Sequence, residues 1–211
     1  MEVFFDTEFT GLHKNTTLIS IGLVDENDNC FYGVMTDFDV KQVDSWINDN
    51  VIKNLFPTTI GNLDLSDDFL SNFKHNKPNG YISIQGDSIF VYGTKGSVRG
   101  VLMDWLNSLL KGNNSEYIEF VSDVCHYDFV LLIDLISGHA LSLPKSISAA
   151  CRDINQDIAD FLEISIKDAF DINREEFLLD QSGKTVSGDK HNSLYDAMVI
   201  KEISSAIHIK R

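Results

Sequence analysis

Cysteine, proline and positive charge are all scarce in this chain, and each shortage excludes something. Cys30, Cys125 and Cys151 are an odd three, widely spaced and without a C-x-x-C pair, so neither a disulfide framework nor a structural zinc motif is present. A reducing cytoplasm is the expected compartment. No apolar run approaches the roughly 18 residues that span a bilayer. The start Met1-Glu2-Val3-Phe4-Phe5-Asp6 has no basic segment of the kind that opens a signal peptide, so no membrane partner is expected. With 17 Lys+Arg against 32 Asp+Glu, the net charge is −15 and the pI is near 4.6. Such a surface repels polyanions, so any contact with nucleic acid has to rely on divalent cations and a compact site.

What is present suits one globular domain: 211 residues, 43% of them hydrophobic, with no repeats and no low-complexity tract. Val3–Phe9, Leu18–Val24 and Cys30–Met35 read as three strands joined by short turns, hence an antiparallel meander. From an N-cap at Asp39, the apolar residues Val40, Val43, Ile47, Val51 and Leu55 recur at helical spacing as far as Phe56-Pro57. Residues 57–94 read as an insertion, with a short helix around 67–73 and a hairpin from Tyr81–Ile84 and Ile89–Tyr92 across Gln85-Gly86-Asp87-Ser88. Val98–Leu110 is an amphipathic helix, Tyr117–Val121 a strand, Asp128–Ile136 and Ile147–Leu162 helices, and Leu194–Ile207 a closing helix. The expected fold is α/β, a mixed sheet of three antiparallel strands with parallel additions, flanked by helices; the chain 1–211 is one domain carrying the 57–94 insertion.

Three pieces of this order carry chemistry. Asp6 and Glu8 lie two apart on the first strand, so they share a face about 6.6 Å apart, a spacing that can clamp a hard divalent ion. Burying unpaired carboxylates among Phe4, Phe5 and Phe9 is costly, which makes them poor structural residues. Asp128, after Tyr127, opens the helix following the strand at 117–121; Asp123 is its rival nearer the strand end, and substitution of Asp123 is expected to matter little. His191 and Asp196 stand five residues apart at the start of the last helix. Five helical residues rotate by about 500°, so both face one site only if His191 sits in the preceding loop, with Ser193 as N-cap. Taken singly, a D-x-E or an H-x4-D arises by chance in a chain this acidic, and each member has a bland structural role as cap or surface charge. Thr7 and Phe9, flanking the acids, are candidates for substrate contact. Lys190, Lys184 and Arg99 could meet phosphates, while Trp46 and Trp105 are expected in the core.

In combination and in this order, the pieces resemble the DEDDh 3′-to-5′ exonucleases of the RNase H-like superfamily. A nearer likeness, carried by MEVFFDTEFTG, LISIGLV, FYGVMTDFD, SWINDNVIKNLFP, CHYDFVLL and KHNSLYDA, is to the small bacterial exoribonuclease AS family. The resemblance implies Asp6, Glu8, Asp128 and Asp196 as ligands of two Mg²⁺ or Mn²⁺ ions and His191 as general base. It further implies hydrolysis from the 3′ end of single-stranded RNA or a 3′ overhang, and a homodimer. Val124 departs from the pattern, since many relatives carry Asn four residues before the second Asp. A compact acidic nuclease also suits a phage source, acting then in the host cytoplasm. Two alternatives are a 3′-5′ single-stranded DNA exonuclease and a non-catalytic nucleic-acid-binding or regulatory protein on the same fold.

Overall fold

The computed structural model describes residues 1–61, 63–65, 71 and 80–209. Its first elements are β1 (Glu2–Phe9), β2 (Leu18–Asp25), β3 (Cys30–Met35), α1 (Ser45–Asn50), β4 (Thr59–Ile60), β5 (Leu63–Asp64), β6 (Tyr81–Gln85) and β7 (Ser88–Gly93). There follow α2 (Lys95–Gly112), β8 (Ile118–Ser122), α3 (Cys125–Ile136), β9 (Ile147–Asp153), α4 (Ile154–Leu162), α5 (Ile166–Phe170), α6 (Arg174–Ser182) and α7 (Ser193–Ile209). Seven strands form one sheet in the order β6-β7-β3-β2-β1-β8-β9, and β4 and β5 pair separately. The meander β1-β2-β3 is antiparallel as expected, while β7 joins β3, β8 joins β1 and β9 joins β8 in parallel. The hairpin β6–β7 therefore extends the central sheet at its β3 edge. The short helix expected around 67–73 lies, apart from Ser71, outside the described residues.

Each face of the sheet has its own core, and β1 divides its side chains between them by the two-residue period of a strand. Val3 and Phe5 pack with Trp105, Leu102 and Leu132 from α2 and α3, whereas Phe4 packs with Leu194, Val199 and Ile203 from α7. Asp6 and Glu8 continue the Phe4 series, so they face α7. Gly22, paired with Asp6 across β1 and β2, makes room for that helix: a Cβ there would stand 2.2 Å from the backbone nitrogen of Leu194. A side chain at position 22 would push the start of α7 off the sheet.

Three expectations are corrected by the packing. The helix anticipated from Val40 to Leu55 is broken into a 3₁₀ turn at Val40–Gln42, α1, and a second 3₁₀ turn at Ile52–Asn54. The break follows from a second cap, because Asp44 accepts a bond from Ile47 N (2.8 Å) after Asp39 has accepted one from Lys41 N (3.1 Å). Ile147–Leu162 is not one helix, since Ile147–Asp153 is β9 and only the residues after the cap at Asp153 are helical. The first half is drawn into the sheet by register with β8, Phe120 opposite Cys151 and Ser122 opposite Asp153. Trp105 is buried as expected, but Trp46 is 54% exposed.

Candidate active site

β8 pairs with β1 only over Glu2–Phe4, after which the two parallel strands part. The carboxyl ends of parallel strands are where open α/β sheets leave room for ligands. Into this opening run Asp6 and Glu8 from β1, Asp123 directly after β8, Asp128 from the first turn of α3, and His191 and Asp196 from the start of α7. All six line one cavity of about 370 Å³, together with Thr7, Phe9 and Lys190. A register shift between Glu8 and Phe9 at the end of β1 kinks the strand at this point, a common device for re-aiming a side chain at a site.

The acids fall into two groups. Potential ligand atoms of Asp6, Asp123 and Asp128 lie within 4.8 Å of one another, and so do those of Glu8, His191 and Asp196. Asp128 is held from two sides: Thr7 Oγ1 donates to its Oδ1 (2.6 Å) and Ser122 Oγ to its Oδ2 (2.9 Å). Thr7 lies on the opposite face of β1 from Asp6 and Glu8, which is how a helix on that side delivers its carboxylate to the strand end. Thr7 lines the cavity, but its hydroxyl is committed to Asp128. Phe9 lines it too, its ring stacked on Tyr127 with centroids 5.7 Å apart.

His191 stands in the loop before α7, as the five-residue spacing requires, with φ of 63°. The helix is capped by Asn192 and not by Ser193: Asn192 Oδ1 accepts from Leu194 N (3.1 Å) and Tyr195 N (3.2 Å). Ser193 is instead buried and shares a hydrogen bond with Ser20 (2.9 Å). The rings of His191 and Trp46 meet at a steep angle, centroids 5.1 Å apart, so the exposed tryptophan walls the imidazole from outside. Nothing at the level of sequence periodicity distinguishes that task from core packing.

Asp123 joins the cluster although the sequence favoured Asp128 over it. Its carboxylate is shared with Arg174 Nε at 3.4 Å. The rest of the guanidinium is taken by the carbonyls of Ala169 and Ile172 (both 3.0 Å) and by Asn155 Oδ1. Of the basic residues considered from sequence, Lys190 lines the cavity, 3.8 Å from Glu175. Lys184 pairs with Glu202 (2.8 Å) elsewhere, and Arg99 lies exposed on α2 away from the cavity.

Crowding sets the electrostatics. Burial, then the charges of Asp128, Asp196, Glu8 and Asp123, hold the Asp6 carboxyl well above the usual range. Glu8 is raised by burial and by Asp196 and Asp128. Burial pushes Asp128 up to about 7, against the hydrogen bond from Thr7, and Asp196 up to about 8. Asp123 is raised by burial in spite of Arg174. His191 is lowered, by burial and then by Lys190, and so favours the neutral imidazole. Among the described residues, no lysine or arginine nitrogen lies within ion-pair distance of Asp6, Glu8, Asp128 or Asp196. Hard oxygen donors that repel one another and have no cationic partner fit divalent ions of the Mg²⁺ or Mn²⁺ type.

No family model matches the chain. A solved structure described as "3′-end specific recognition of histone mRNA stem-loop by 3′-exonuclease" superposes over 99% of this chain and 62% of that one, with a TM-score of 0.55 and 13% identity. The chain shares the α/β fold of that structure, of the RNase H-like type. Over 57 residues, 27% of this chain, the sequence is 40% identical to 3′-5′ exoribonucleases of two strains of Mycobacterium tuberculosis. That alignment spans 34% of the relatives' length. No helix among the described residues is long and apolar enough to cross a membrane.

Proposed function

We propose that this chain is a divalent-metal-dependent 3′-5′ exonuclease acting on single-stranded RNA or 3′ overhangs. The observation that carries this reading is the convergence of five carboxylates and one neutral-favouring imidazole in a single cavity at the parting of β1 and β8. Similarity to proteins named 3′-5′ exoribonucleases supports RNA as the substrate class.

Glu8 and Asp196 would hold one ion beside His191, and Asp128 and Asp123 the other. Asp6, whose carboxyl feels the charges of both groups, would serve the two sites together. Such ions, when bound, supply Lewis acidity that lowers the pKa of a water and offsets charge on the leaving 3′ oxygen. The protein's residues do the rest. His191, tilted toward neutrality, accepts the proton of the attacking water. Thr7 and Ser122 fix the Asp128 carboxylate so that it need not reorganise during the reaction. Phe9 offers its free ring face to the terminal base. Second copies of the chain would pair as a homodimer.

The test is hydrolysis of 5′-end-labelled RNA and DNA oligonucleotides with either a free 3′-OH or a 3′-phosphate, in Mg²⁺, Mn²⁺ or EDTA. Stepwise shortening of the 3′-OH RNA, abolished by EDTA, is expected. Equal shortening of RNA and DNA would move the substrate to single strands of either sugar, and no shortening of any strand would leave a binding protein on this fold.

A further inference from the structure

Phe9, in the wall of the acid cavity, stacks on Tyr127 at 12° between ring planes, and Tyr127 lines a second, separate cavity of about 570 Å³ between the loop after β1 and the outer face of α3. Three of the chain's six histidines, His13, His126 and His139, line this groove together with Lys14. All four side chains are on exposed residues. In a protein of net charge −15 this groove is locally close to neutral, with Lys14 and Asp134 as its charged lining residues. Asp134 is the one acid among the lining residues, and it is ion-paired with Lys95. Between the donors the wall is apolar, with Val130 61% exposed.

We propose that this groove receives the nucleotides on the 5′ side of the scissile bond of a single-stranded substrate; the inference rests on the exonuclease reading and extends it. The acid cavity, at about 370 Å³, has room for a small ligand and not for a chain, so the strand has to leave it. On the α6 side the exit is poor in free donors, because every nitrogen of Arg174 is already engaged and Lys190 faces Glu175. On the Phe9–Tyr127 side, the imidazoles of His13, His126 and His139, the last already hydrogen-bonded through Nε2 to Ser142 (2.9 Å), and the ammonium of Lys14 line a trough with apolar walls; an imidazole N–H donates in either protonation state. A donor-lined trough with aromatic and apolar platforms is what a single strand requires, phosphates to the donors and bases to the platforms. An acidic peptide would use the donors but leave the stacked aromatic step without a role.

The test compares KM for a dinucleotide and an octanucleotide, both with free 3′-OH, in Mg²⁺. The wild-type chain should bind the octanucleotide at least about tenfold better. The exposed triple variant H13A/K14A/H139A should shrink that ratio to about twofold or less, and Lys14→Glu alone should reduce it. A circular-dichroism melt checks that the variants fold as the parent does. If hydrolysis occurs but the wild type shows no length dependence, or the triple variant retains it, the groove assignment is wrong and the exonuclease reading stands. If neither substrate is cut, both fall together.

Discussion

The backbone N–H of His191 donates to Asp196 Oδ2 at 2.9 Å, so the proton acceptor and a metal-site carboxylate proposed here are fixed to each other by the turn that starts α7. This contact gives the spacing of the two residues its physical meaning: the chain takes a left-handed step at His191, with φ of 63°, and returns the helix's first-turn acid to it. The two residues are nevertheless separable by mutation. His191→Ala should slow turnover by about 10²- to 10⁴-fold and leave metal affinity largely intact, whereas Asp196→Asn should lose both. Isothermal titration with Mn²⁺ beside single-turnover assays distinguishes them; a loss of metal affinity in His191→Ala equal to that in Asp196→Asn would remove the base assignment.

Acidification should act on His191 from below the ordinary histidine value of 6.5, because burial and Lys190 both lower it. A lowered histidine stays neutral further into acid, so the proton acceptor survives until the pH falls beneath that value. A rate profile in saturating Mg²⁺ whose acid limb lies above 7 would contradict this.

Without metal the acid cluster should destabilise the fold as pH rises. The sign follows from carboxyls that bind protons more tightly folded than unfolded: Asp128 at about 7 and Asp196 at about 8 against an ordinary 3.8. Their contribution is fully present below pH 3.8 and is lost as pH climbs through the folded values, so the apo melting temperature should fall between about pH 4 and 8. Asp6→Asn should raise the apo melting temperature at pH 8, and added Mg²⁺ should raise it in the wild type. A rising apo melting temperature across that window would mean the cluster is neutralised by cations inside the protein.

Asp123→Asn should reduce activity by about 10- to 100-fold, and Thr7→Val, which frees Asp128 Oδ1, should do so to a similar extent. The expectation for Asp123 reverses the one drawn from sequence. Turnover within twofold of wild type would return Asp123 to an ordinary partner of Arg174.

Much of this architecture is legible in the residues. Alternation over Glu2–Phe9 places Asp6 and Glu8 on one face, and the Gln85-Gly86-Asp87-Ser88 signal marks the β6–β7 hairpin. What escapes is what only tertiary pairing decides. Ile147–Asp153 has no strand-like alternation, and the strand exists because β8 offers an edge with matching register. Asp123 could be placed only by knowing that β8 ends at Ser122 and aims the next residue at Asp6. Trp46 reads as core by helical spacing, but α1 restarts after the second cap at Asp44 and the indole meets His191.

Salt should affect binding weakly. A strand held by metal ions, Lys14 and a few neutral donors engages two or three phosphates through charge, for a slope of log K against log salt near about −1.4 to −2.1. A slope steeper than about −4, measured in Ca²⁺, would require an extended basic track beyond the groove proposed for the strand.

Incubating linear and circular forms of one RNA with wild-type protein and with Asp6→Asn in Mg²⁺ decides whether these acids form a 3′-end-directed nuclease site. The wild type should convert the linear strand to nucleoside monophosphates and spare the circle, and Asp6→Asn should cleave neither. Cleavage of the circle, or near-normal activity of Asp6→Asn, would rule out such a site.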